Sequence, residues 1–177
     1  MLMHANKKII ILVHDRVEDM EIGYPILRLT EAGYEVDVAG ECAGEVYHGK
    51  FGYPFRATKS FLDIDYRCYD GLIIPGGYAP DKLRRFGRVL EIVYNMDQKG
   101  LPIGQICHAG WVCISAKILK GRCATSFFAI KDDMVNAGAI WVDKPIVVDK
   151  NLVSAQTEKD LPEFMKTFLT LMESKKK

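Results

Sequence analysis

No apolar run in the sequence approaches the ~18 residues that a membrane-spanning helix needs, so a helical membrane protein is excluded. Charge of one sign is also lacking. The 24 Lys and Arg residues against 23 Asp and Glu leave a formal net charge of +1, which points to neither nucleic acid nor an acidic membrane surface as a partner. There is no C-x-x-C pair and no zinc-type spacing among the five cysteines, Cys42, Cys68, Cys107, Cys113 and Cys123. Met1 to Lys8 is too short and polar for a signal peptide, so reduced thiols and a cytoplasmic protein are expected. Neither G-x-G-x-x-G nor a Walker pattern follows the first apolar run, where Asp15 to Glu18 would repel phosphate. No internal repeat or low-complexity linker divides the chain, and residues 1–177 read as a single domain with Lys175 to Lys177 as a frayed end.

What is present is an alternation of two periodicities. Lys8 to Val13 is a continuous apolar run, as in a strand buried on both faces of a parallel sheet. Ile22, Ile26, Leu29 and Ala32 recur at helical spacing, with Pro25 inside the pattern and Gly33 closing it. Strands are predicted over 35–39, 71–74 and 101–106, with an antiparallel excursion between Gly40 and Asp65. Helices are predicted over 88–99, 109–119, 129–137 and 161–173, and short strands over 140–142, 146–148 and 152–155. This order predicts a flavodoxin-like three-layer α/β/α sandwich around a mostly parallel central sheet.

In such a sheet, ligands bind at the carboxyl ends of the strands. Cys107 stands where the 101–106 strand gives way to a helix, the position of a nucleophile elbow with Cys in place of Ser. The start of that helix would favour a thiolate, the form that attacks a carbonyl carbon. Gly76 and Gly77 follow the 71–74 strand, and with no side chains their N–H groups could approach a developing oxyanion, with His108 N–H as a second donor. Glu18 follows the first strand and is the candidate for a carboxyl facing the Cys107 sulfur. His108 is the candidate general base or acid, oriented by a carboxylate such as Asp81, with Tyr78 and Trp111 forming a pocket for small substrates. Cys107 and His108 are adjacent and lack a third ligand at useful spacing, so no metal and no cofactor are expected.

These stretches, taken together, resemble the ThiJ/PfpI superfamily and most closely its PfpI-type intracellular protease branch. The resemblance is carried by Val17-Glu18-Asp19-Met20-Glu21 with Tyr24-Pro25, by the run from Tyr69 to Asp81, and by Ile106-Cys107-His108. It continues through Gly121-Arg122 with Thr125-Ser126, Ile130 to Met134, Asn136-Ala137-Gly138 and Trp141-Val142-Asp143. It implies Cys107 as the nucleophile, Glu18 as the sulfur-facing carboxyl, an oxyanion hole near Gly77 and His108, and a homo-oligomer, dimeric or hexameric. It also implies that the acid orienting His108 comes from a neighbouring subunit, at the position of Asp81. This chain departs from the branch in having Asp81 for Glu, Phe127 for Tyr, and Ala109-Gly110-Trp111 for a Gly-Pro helix start. The implied functions are cofactor-free carbonyl or acyl chemistry of glyoxalase III or deglycase type, or an intracellular cysteine peptidase acting on peptides. A redox or stress sensor working through oxidation of Cys107 is the non-enzymatic alternative.

Overall fold

The computed structural model describes residues 7–174, so the terminal lysines lie outside the described residues. Its centre is a seven-stranded sheet ordered β10-β11-β7-β6-β1-β2-β5. The strands are β1 (Lys8–Leu12), β2 (Glu35–Gly40), β5 (Lys59–Ser60), β6 (Gly71–Ile74), β7 (Ile103–Ile106), β10 (Ile146–Asp149) and β11 (Leu152–Ala155). Every pairing is parallel except that of β10 with β11. Two small ribbons lie outside the sheet: β3 (Val46–His48) with β4 (Pro54–Arg56), antiparallel, and β8 (Cys123–Ala124) with β9 (Ile140–Trp141), parallel. The helices are α1 (Asp19–Glu31), α2 (Ala79–Leu83), α3 (Gly87–Gln98), α4 (Gly110–Ser115), α5 (Lys131–Asn136) and α6 (Leu161–Ser174).

The continuous apolar strands sit where their composition requires, in the middle of the sheet. Ile9 to Leu12, Leu72 to Ile74, and Ile103 with Ile106 are all fully buried. Helix α6 turns Leu161, Phe164, Met165, Phe168 and Met172 inward, the stripe that its period supplies. Two glycines let it lie close to the sheet. A Cβ on Gly104 would sit 2.7 Å from Ile73 Cδ1, 2.8 Å from Phe164 Cζ and 3.2 Å from Phe168 Cδ2. One on Gly71 would press on the Met172 sulfur at 2.9 Å. Gly104→Ala is therefore expected to destabilise the protein by ~1–3 kcal/mol through overpacking, read as a lower denaturation midpoint at unchanged slope.

Two segments differ from their sequence reading. The elbow helix, predicted over 109–119, is a 3-10 turn over Cys107–Ala109 followed by the six residues of α4. It stops at Lys117, whose φ of 60° is left-handed, so the chain reverses where apolar periodicity continues through Ile118 and Leu119. The 129–137 helix likewise divides into a 3-10 turn over Phe128–Ile130 and α5. Proline 25 is carried inside α1, on its buried side, without ending the helix.

Candidate active site

Because β6, β1 and β7 include the adjacent pairs β6·β1 and β6·β7, their carboxyl ends bring three loops together. Cys107 occupies the last of these, and its φ of 60° is a conformation that side chains other than glycine adopt at a cost. The turn aims its sulfur at a cavity of about 260 Å³ lined by Glu18, Lys50, Gly77, Tyr78, Cys107, His108, Phe127 and Glu158. The His108 imidazole lies against the nucleophile, Nδ1 being 3.2 Å from Cys107 Sγ. That ring is held between Trp111 and Phe127, with centroids 5.2 Å and 5.1 Å away. Burial, helped by the charge of Lys50, holds the imidazole below its ordinary pKa, so His108 is neutral at pH 7 and able to take a proton.

The carboxyl built against the sulfur is Glu21. Its residue is fully buried on α1, on the inward stripe with Pro25 and Leu29. Oε2 accepts the Gly76 N–H at 2.6 Å, whereas Oε1 has no hydrogen-bond partner. Gly76 is wedged between acid and nucleophile, since a Cβ there would sit 2.5 Å from Glu21 Oε2 and 2.7 Å from Cys107 Cβ. Burial pushes the Glu21 pKa up to about 8, with the charges of Glu18 and Glu158 adding to it and the Gly76 N–H opposing. Glu21 is thus mostly protonated at neutral pH, and its carboxyl interacts with the Cys107 side chain, so it can supply a proton at the sulfur.

Glu18 also lines the cavity, but as the N-cap of α1. Its Oε2 accepts from Met20 N at 2.8 Å and Glu21 N at 3.0 Å. The expectation that Glu18 faces the sulfur is corrected to Glu21, one helical turn on. The reason is geometric: a capping side chain folds back on the first turn, whereas a residue three positions later projects from the helix face. Burial raises the Glu18 pKa despite these two N–H donors.

The oxyanion donors also narrow. Gly76 is corrected from oxyanion donor to Glu21 ligand, because its N–H is already donated. Burial, with any charge on Glu21, pushes the Cys107 thiol well above its ordinary pKa, so it rests as the thiol; the N–H groups of Gly77 and His108 approach it and oppose that push. Gly77 has φ 72°, and a Cβ there would collide with Glu18 N, so this loop requires glycine. Tyr78 stands at the rim, under the Arg16 guanidinium at 4.5 Å from its ring centroid.

Trp111 is outside the lining residues. Its indole N–H donates to Asp133 at 2.7 Å and its ring buttresses His108, so it positions the base and forms no part of the pocket wall. Asp81 does not reach His108 within this chain, since its carboxylate is paired with Arg85 one turn along. The helix-dipole expectation for the thiolate weakens as well, because α4 is six residues long and preceded by a 3-10 turn. Lys50 and Glu158, which the sequence reading passed over, come to the cavity from distant parts of the chain.

A parallel sheet ending in a strained turn that carries a buried cysteine, a neutral histidine and two amide donors defines a cysteine-nucleophile enzyme of the α/β class. The chain belongs to the DJ-1/PfpI family, whose model matches residues 7–171. A deglycase of Pyrococcus abyssi is 42% identical over 165 residues, 93% of this chain and 99% of the relative. The deglycase PfpI of Pyrococcus furiosus is 41% identical with the same coverage, and YraA of Bacillus subtilis, named as a candidate cysteine protease, is 37% identical over 94% of this chain and 99% of its own. Among solved structures, a two-domain protein of Anabaena variabilis with DJ-1/ThiJ/PfpI-like and ferritin-like domains matches with a TM-score of 0.91 at 38% identity. That match covers 93% of this chain and 47% of the larger protein. Drosophila melanogaster DJ-1beta matches with a TM-score of 0.87 at 25% identity, covering 94% and 91% of the two chains. No helix among the described residues is long and apolar enough to cross a membrane.

Proposed function

We propose that this protein is a cofactor-free deglycase or glyoxalase that converts methylglyoxal, free or carried as an adduct on an amine or thiol, to lactate. The observation that carries the reading is the cavity in front of Cys107, at about 260 Å³ smaller than usual ligand sites and lined by residues from six loops. A three-carbon dicarbonyl fits it; an extended peptide does not. The relatives named deglycases support the same class of substrate.

In this reading the Cys107 S–H proton passes to His108 Nδ1 as the sulfur bonds to the aldehyde carbon. The electron pair of the carbonyl moves to oxygen, which is held by the Gly77 and His108 N–H groups and then protonated. The resulting hemithioacetal loses its carbon-bound proton to a carboxylate, for which Glu18 Oε1 is available because Oε2 makes the cap bonds. The proton is returned to the neighbouring carbon, giving a lactoyl thioester. Water then breaks the C–S bond, releasing lactate and restoring the thiol, so methylglyoxal and water balance against lactate.

A homo-oligomer in a cytoplasmic setting is part of the proposal. The apolar groove beside α1, where Met20 and Leu27 are exposed next to Tyr53, supports assembly, and Asp81, whose side chain is half exposed on the otherwise largely buried α2, would serve a neighbouring copy. The direct test is lactate formation from methylglyoxal by the purified protein without added cofactor. Turnover is expected. Its absence, together with cleavage of casein, would replace this reading with the peptidase one.

A further inference from the structure

Two charged side chains of the cavity take no part in the chemistry above. Lys50 lies in the β3–β4 turn, where its N–H donates to Val17 O at 2.7 Å. The turn is pinned to the start of α1 because the Asp19 carboxylate accepts from Phe51 N at 2.9 Å and Tyr53 N at 3.1 Å. Glu158 opens the 3-10 turn that leads into α6, fixed by a capping box in which Asp160 accepts from both the N–H and the hydroxyl of Thr157. Both side chains are exposed at the rim while their backbones are held in place.

They occupy different walls. A Glu158 carboxylate oxygen lies within 4.8 Å of those of Glu18 and Glu21, whereas the Lys50 ammonium acts on His108 and rests 5.0 Å from the Phe51 ring centroid. No ion pair joins Lys50 to Glu158 among the described residues, so each charge is available to a ligand. A small cavity with the Lys50 cation, the carboxylates of Glu18 and Glu158, and the aromatic rings of Tyr78 and Phe127 is complementary to a small zwitterion with a short apolar part.

Resting on the carbonyl-adduct reading, we propose that Lys50 and Glu158 select adducts of free α-amino acids, Lys50 binding the α-carboxylate and Glu158 facing the nitrogen that leaves. Adducts on protein side chains lack that free carboxylate. In the exchange step the C–S bond forms as the C–N bond breaks, and the Cys107 proton travels through His108 to the departing nitrogen. The amino acid leaves as an ammonium beside the Glu158 carboxylate.

The test uses N-(2-hydroxypropyl)alanine, a reduced adduct that cannot react, and its amide, each assayed for protection of Cys107 against iodoacetamide. The acid is expected to protect at a concentration at least tenfold lower than the amide. Lys50→Met should bring the acid to the level of the amide, and Glu158→Gln should weaken both several-fold, with circular dichroism confirming that the variants fold. Equal protection by acid and amide in the natural protein, or an unchanged preference in Lys50→Met, overturns the selectivity. Turnover of the alanine adduct of methylglyoxal is measured alongside. Selective protection without turnover leaves the binding proposal standing and removes the catalytic reading; turnover without selectivity does the reverse.

Discussion

Cys107→Ala is expected to abolish lactate formation from methylglyoxal, a loss of at least a thousandfold, while leaving the circular dichroism spectrum unchanged. The sulfur is the nucleophilic atom in contact with His108, 3.2 Å from Nδ1, and it faces the cavity. The fold survives because the side chain is small and the turn is held by its own main chain, including the bond from Phe127 N to Cys107 O at 3.1 Å. Retained turnover in this variant would remove the elbow cysteine from the mechanism. The same variant separates an enzyme from a sensor: loss of a peroxide-dependent mass increase with no turnover in the natural protein would favour oxidation as the function.

Glu21→Gln carries the second large effect, and it has two readouts. Glutamine preserves the acceptor for the Gly76 N–H and offers an N–H donor toward the sulfur, but it has no proton to give up, so a fall in lactate formation of about two orders of magnitude is expected from the loss of proton transfer alone. The stability readout has a definite sign. The folded-state pKa of Glu21, about 8, lies above its ordinary 4.5, so the group favours folding most at pH below 4.5. That contribution is lost as pH rises from about 4.5 to 8 and is gone above. The natural protein should therefore lose on the order of a few kcal/mol across this window that the glutamine variant does not lose. Parallel stability–pH curves for the two proteins would show that Glu21 titrates normally. Loss of turnover in Glu18→Gln is expected in either case, since Glu18 is the base of the mechanism; unchanged turnover in Glu21→Gln would remove Glu21 from the chemistry at the sulfur.

The sheet was legible because its apolar runs are long and uninterrupted. Ile9 to Leu12 and Gly71 to Ile74 have no solvent face, and only a parallel sheet covered on both sides buries such segments. The elbow helix was overestimated for a related reason. Ile118 and Leu119 continue the apolar spacing, but they are buried beyond a left-handed reversal at Lys117 that no glycine announces. Strand ends identified the loops that meet, hence Cys107, His108 and Gly77, but not which carboxyl reaches the sulfur. Here a signal was present in the sequence: Glu21, Pro25 and Leu29 share the inward face of α1, and a carboxyl on an apolar stripe is the one to be desolvated. Lys50 and Glu158 offered no such signal. Each reads locally as a solvated charge in a turn, and only the tertiary fold places them around one cavity.

The left-handed turn at Cys107 sets chemistry and thermal resistance in opposition at a single residue. Glycine would adopt that backbone freely, and a side chain there carries a penalty of roughly 1–2 kcal/mol. Selection for heat tolerance alone would thus erode the nucleophile first, so a lineage that no longer needed turnover would be free to relax the turn. Persistence of cysteine at this position among the descendants of such a chain would be a record of continued use.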